Sequence, residues 1–285
     1  MNLFKEILCE FLGTFVLMFF GTSSILLSAN SPHMDDILVP AFGFFSVIVA
    51  LVHLIGPTSG CHINPAVTLA LALMGRIHPI HAFLYSIAQM AGGAAGTGYL
   101  YLLSPREWVD KTSLGMTKVN PSLNLYQAVA WEVTITTLLV LAILLLTENN
   151  PNREFEGVPA YSAGFTVVAC IFSGAGATGA SLNPARSFAP ALIMWDFKDQ
   201  WVYFVGPLGS SFVDVLIYKY LLQEGIIHVN PQELPQQYQL QLQQQKQQRQ
   251  EQKQQGKQEK SAEQTSKTVH LNELNESFKV SNTCS

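Results

Sequence analysis

The chain has 285 residues, 48% of them hydrophobic and only 13% charged, where a soluble domain carries about a quarter charged residues. A net charge of −4, a pI near 6.0 and no long basic block in the first 222 residues exclude a nucleic-acid partner. The charge is also unevenly spread: residues 1–222 hold 9 of the 16 Lys/Arg and 13 of the 20 Asp/Glu, and the last 63 residues hold the rest.

A bilayer-crossing helix needs about 20 mostly apolar residues. Six stretches approach that requirement: 7–29, 37–56, 80–103, 125–147, 159–173 and 201–222. Two shorter apolar stretches, 64–75 and 183–195, each follow a glycine-rich approach and read as re-entrant half-helices. The first span is too long for a signal-peptide core and is expected to be retained. Six spans place both ends on one side. Lys/Arg placement votes weakly, since Arg106, Lys111 and Lys118 stand against Arg76 and Arg153, but Lys5 and Lys219 favour cytoplasmic termini. Beyond residue 222 the glutamine-rich 223–285 segment cannot pack a core and reads as a disordered cytoplasmic tail; its sequon at Asn275 matters only outside the cell.

The membrane part repeats. Glu10 precedes Asn64 by 54 residues in "CEFLGTF…SGCHINPAVTLAL", and Glu132 precedes Asn183 by 51 in "WEVTITT…TGASLNPARSFAPAL". With three spans per half (about 5–103 and 125–222), the second copy enters from the opposite face, and the two half-helices meet amino end to amino end. Asn64-Pro65-Ala66 and Asn183-Pro184-Ala185 are helix starts: asparagine caps, and proline tolerates the first position. An asparagine whose oxygen caps leaves its amide NH2 to face the midplane, next to the positive end of a half-helix.

On these two segments, with Glu10 and Glu132, residues 5–222 resemble an aquaporin of the major intrinsic protein family. The resemblance implies an all-α membrane protein with six spans and two half-helices, a pore in each subunit, a homotetramer in the plasma membrane, and water or small uncharged solutes as passengers. It places a filter of four residues around the outer mouth: Arg186, Ala180, Phe44 and Ile171. A shifted loop would substitute Phe42 or Phe45 for Phe44, and Phe172 or Cys170 for Ile171. Strictly water-selective relatives carry histidine at the fourth place, and no histidine lies within reach here. An apolar wall opposite one arginine suits glycerol or urea, whereas Ser187 and the Tyr203-Phe204 pair resemble the water class. Some insect channels share this mixture and pass glycerol.

Glu10 and Glu132, buried carboxylates, are expected to brace the half-helix loops rather than relay protons, and His62 to brace the first loop. Cys61, three before Asn64, is a candidate mercurial site. The cysteines Cys9, Cys61, Cys170 and Cys284 suggest neither a disulfide scaffold nor a metal site. Gly92, Gly93 and Gly96 mark close helix packing. No hydrolase motif or carboxylate pair occurs in the spans, so neither catalysis nor a cofactor is expected. The rival readings are a strictly water-selective channel and a junction protein with a vestigial pore.

Overall fold

The computed structural model describes residues 2–32, 34–147 and 159–222. The chain divides into two units, 1–223 and 224–285, and the following concerns the first. Arg153, the glutamine-rich segment, the Asn275 sequon and Cys284 lie outside the described residues.

The helices are α1 (Leu3–Ala29), α2 (Leu38–Ser59), α3 (Pro65–Leu73), α4 (Pro79–Leu103), α5 (Arg106–Thr112), α6 (Leu125–Leu146), α7 (Pro159–Thr178), α8 (Pro184–Met194) and α9 (Val202–Ile217). α9 continues as a wider π-helical turn, Tyr218–Leu222. Starts are chemically marked: Asn2 Oδ1 accepts from Phe4 N at 3.0 Å, and Asn124 and Gln127 form a reciprocal capping box. Outside the spans, Asp35 accepts from the Ile37 and Leu38 amides at 2.8 and 2.6 Å, which holds its carboxyl below the usual range.

Among the described residues, α1, α2, α6 and α7 are long and apolar enough to cross a membrane. α4 has 25 residues, roughly 37 Å at 1.5 Å per residue, but its glycines and polar residues lower its hydropathy. One expectation needs correction, and one element is new. The glycine-rich approaches are largely helical: α2 runs through Pro57 to Ser59, and α7 runs through Gly174 and Gly176 to Thr178. The segment between α4 and α6 also holds a short helix, α5, that hydropathy does not reveal.

Each half repeats the same contacts. α1 packs on α2 and α4, as α6 packs on α7 and α9; α2 and α7 join the halves; α3 lies against α4 and α9, and α8 against α4 and α9. The α1–α4 crossing is built by glycine. A Cβ at Gly92 or Gly96 would stand 2.1 Å from Phe11 O or 2.2 Å from Phe15 O, so only hydrogen permits this approach. Gly93 faces another way, toward Ala185 and Ala189 of α8. At Gly21 a Cβ would meet the Phe44 ring at 2.4 Å, so this glycine makes the room in which that ring lies.

Candidate functional site: a pore between two half-helices

The loops entering α3 and α8 have the same backbone. Gly60, Cys61 and Ile63 have φ of 86, 52 and 42°, and Gly179, Ala180 and Leu182 have 82, 48 and 56°. Left-handed conformations cost a non-glycine residue about 1–2 kcal/mol, so something must hold them. Glu10 accepts from Ser59 Oγ at 2.6 Å, His62 N at 3.0 Å, Ile63 N at 2.7 Å and Gln89 Nε2 at 2.8 Å. Glu132 accepts from Thr178 Oγ1 at 2.6 Å and from Ser181 N and Leu182 N at 3.0 Å each. Hydrogen bonds to a charged group contribute about 1.5–3 kcal/mol each, enough to offset the strain and satisfy the buried carboxylates. Tyr85 and Tyr203 reach the two loops from α4 and α9: the Tyr203 hydroxyl donates to Thr178 O at 2.9 Å, and the Tyr85 hydroxyl lies between Glu6 Oε2 at 3.1 Å and Ser59 O at 3.2 Å.

Asn64 and Asn183 cap their half-helices by accepting from Ala66 N and Ala185 N, both at 2.9 Å. Their amide nitrogens are not wholly free, as the sequence suggests. Asn64 Nδ2 donates to Leu182 O and Asn183 Nδ2 to Ile63 O, each at 2.9 Å. An amide has two N–H groups, so one remains on each asparagine. Pro65 and Pro184 occupy the first helical positions, and Ala66 and Ala185 are fully buried.

A cavity of about 820 Å³ follows the bundle, with Asp36, Thr112 and Met116 at one end and Arg76, Leu146 and Thr147 at the other. One wall is apolar: Phe44, Ile48, Val52, Leu139, Ile143 and Ile171. The other is the strained loops with Asn64 and Asn183. Among the candidates for the fourth position, Ile171 lines the cavity; Phe172 is 50% exposed on the outer face and Cys170 is buried, its thiol donating to Ile135 O. Phe44 lines the cavity as well, with Phe45 turned onto Phe165.

Arg186 is 6% exposed, donates to Gly115 O at 2.9 Å and lies 5.4 Å from the Phe44 ring centroid. Ser113, Leu114 and Gly115, all left-handed at φ 49, 54 and 67°, present that carbonyl. Ala180 and Cys61 also line the cavity. Ser187 and Tyr203 do not: Ser187 is buried between Ser181 and Thr117, and Tyr203 is bound to Thr178 O. Among the described residues, the histidine on the cavity wall is His62. Its backbone amide is held by Glu10, its ring contacts Thr68 Oγ1 at 3.2 Å, and it stands edge-on to Tyr85.

Sequence reasoning missed Gln89, which binds both Glu10 and Thr68; Gly115, the acceptor for Arg186; and the grip of Arg76 on Leu144 O, Thr147 Oγ1 and the Tyr218 hydroxyl. A glutamine amid the apolar residues and glycines of α4 was the available signal for the first. Among the described residues, no group of His, Cys, Asp and Glu side chains could hold a metal ion.

A helical membrane bundle with two opposed half-helices around an internal cavity defines a pore-forming protein. The chain belongs to the major intrinsic protein family, whose model matches residues 1–218. It is 38% identical to aquaporin-2 of Rattus norvegicus over 218 residues, 76% of this chain and 79% of that one. To the lens fiber major intrinsic protein of Lithobates pipiens it is 34% identical over 221 residues, 78% and 82% of the two chains. The aquaglyceroporin structure from Plasmodium falciparum superposes with a TM-score of 0.70 at 25% identity, covering 78% of this chain and 98% of that one. The protein is a multi-pass membrane channel, not an enzyme.

Proposed function

We propose that the chain is a passive pore that conducts water and also small uncharged solutes such as glycerol or urea, while excluding ions and protons. The observation that carries the solute range is the mouth itself: Arg186 faces Phe44, with Ile171 on the cavity wall and the small Ala180 in place of a bulkier group. A polyol could lay its carbons on the apolar side and its hydroxyls toward the guanidinium and loop carbonyls. Ser187 and Tyr203, which favour a water-only reading, have no surface on the cavity.

Ion exclusion rests on the centre. The amino ends of α3 and α8 carry the positive ends of their helix dipoles, and the free N–H of Asn64 and of Asn183 offer donors to a water oxygen. A water accepting both would point its hydrogens away from the centre, so a continuous proton-donating chain would be broken there. Arg186 adds a positive charge at the mouth that repels cations. The open cavity argues against a vestigial pore.

The even number of spans, with Lys5 and Lys219, supports cytoplasmic termini, and we take the channel to act as a homotetramer in the plasma membrane. Reconstituted vesicles shocked with glycerol test the solute range: the wild type is expected to shrink and then reswell quickly. Ile171→His should keep the shrinkage and slow the reswelling. Reswelling no faster than in empty vesicles would leave a water-only pore.

A further inference from the structure

The two mouths of the cavity are charged by different means. Among the described residues that line it, besides the imidazole of His62, the ionic side chains are Asp36, Arg186 and Arg76. Arg186 is tied to Gly115 O, next to Met116 at the first mouth, and Arg76 stands at the second. Arg186 is the third residue after Asn183, and the same count from Asn64 reaches Val67. The repeat thus leaves the second mouth without its own copy of this cation. Arg76, beyond the end of α3, supplies one beside Leu71, Ile143 and Leu146.

The position of Arg76 is over-determined. α3 ends in a Schellman motif: Gly75, at φ 69°, donates to Ala72 O at 2.9 Å, and Arg76 N donates to Leu71 O at 2.8 Å. The guanidinium then ties down two further elements. Nη1 donates to Leu144 O at 2.7 Å and to Thr147 Oγ1 at 2.8 Å, and Nη2 donates to the Tyr218 hydroxyl at 2.9 Å. Leu144 O belongs to the last turn of α6, where carbonyls lack helical donors and the helix dipole is negative. Thr147 gives its own hydrogen to Ile143 O, so its oxygen is left to accept. Tyr218 is fully buried in the π turn, clustered with Val67, Leu71, Val140 and Leu144, and its ring centroid lies 5.2 Å from the guanidinium carbon. Among the described residues the partners of this guanidinium are all neutral. They fix where the charge sits without cancelling it.

We infer that Arg76 is a second specificity-determining residue, a fixed cation that repels cations from the mouth opposite Arg186. The inference rests on the pore reading above and deepens it. A cation entering from this side meets Arg76 before it meets the half-helix ends, as one from the other side meets Arg186. A unit charge 4 Å away changes a rate about fivefold even in bulk water, and salt screens that effect at a solvated mouth.

The test reads the charge on the full chain in detergent. Leu146→Cys places a reporter thiol on the cavity wall, between the Leu144 and Thr147 partners of Arg76. Its rates of modification by a trimethylammonium and by a sulfonate methanethiosulfonate reagent are followed by mass spectrometry of the peptide that holds residue 146. Arg76→Gln should shift the ratio of the two rates toward the cationic reagent by at least about fivefold at low ionic strength. Arg76→Lys, which keeps the charge and loses the fork, should leave the ratio near that of the parent, and high salt should erase the difference. Arg76→Met serves as a second neutral variant, with thermal unfolding to confirm that each protein is folded. An unchanged ratio in the neutral variants, a ratio in Arg76→Lys equal to theirs, or a shift that persists at high salt, marking a widened mouth, would each overturn the inference. The thiol rates need no conduction, so their failure is distinct from a failure of the pore reading, which vesicle shrinkage tests.

Discussion

Asn64 and Asn183 hold each other's loops: the amide of each donates to the carbonyl just before the other, Leu182 O and Ile63 O, at 2.9 Å. The two halves are therefore latched at the centre of the pore by the groups that face its contents. Replacing either asparagine by aspartate removes the cross-bond donor and puts a negative charge between two positive helix ends. Asn64→Asp and Asn183→Asp should each lose about 1–3 kcal/mol and admit cations, read by thermal unfolding and by ion flux into vesicles.

The glutamates predict a graded effect. Glu10→Gln leaves one oxygen to serve four donors and turns an amide on its neighbours; Glu132→Gln faces three donors. Both should reduce folded yield and Tm, Glu10→Gln more. Normal folding with altered proton flux would instead restore the relay reading.

Glycine substitutions separate packing from mere helix propensity. Gly92→Ala and Gly96→Ala drive a methyl into backbone oxygens that cannot turn aside, costing at least about 1–3 kcal/mol. Gly176→Ala, where nothing lies within 4 Å, should be neutral or mildly stabilising. Equal Tm losses at the three sites would contradict this assignment.

Cys61 and Cys170 are both buried, yet only Cys61 lines the cavity. Block by a mercurial reagent should vanish in Cys61→Ser and persist in Cys170→Ser. Block unchanged in Cys61→Ser places the reactive thiol elsewhere.

The architecture was legible wherever hydropathy or a repeated motif speaks. Asn-Pro-Ala carries its own local physics, a cap followed by a proline, and its recurrence at matching distances from Glu10 and Glu132 brings out the inverted repeat. What stayed hidden depends on tertiary geometry. Only the fold shows that the Gly115 carbonyl turns toward Arg186, because three successive left-handed residues have no apolar period. Nor could counting across a loop distinguish Ile171 from Phe172, adjacent in sequence, of which the first lines the cavity and the second is half exposed.

The most direct measurement is light scattering from reconstituted vesicles after a sucrose jump, with an entrapped pH dye read in the same experiment. A water pore interrupted at Asn64 and Asn183 predicts shrinkage much faster than in empty vesicles, with no accelerated decay of an imposed proton gradient. Shrinkage no faster than in empty vesicles, from folded protein, or proton flux rising with water flux would contradict it.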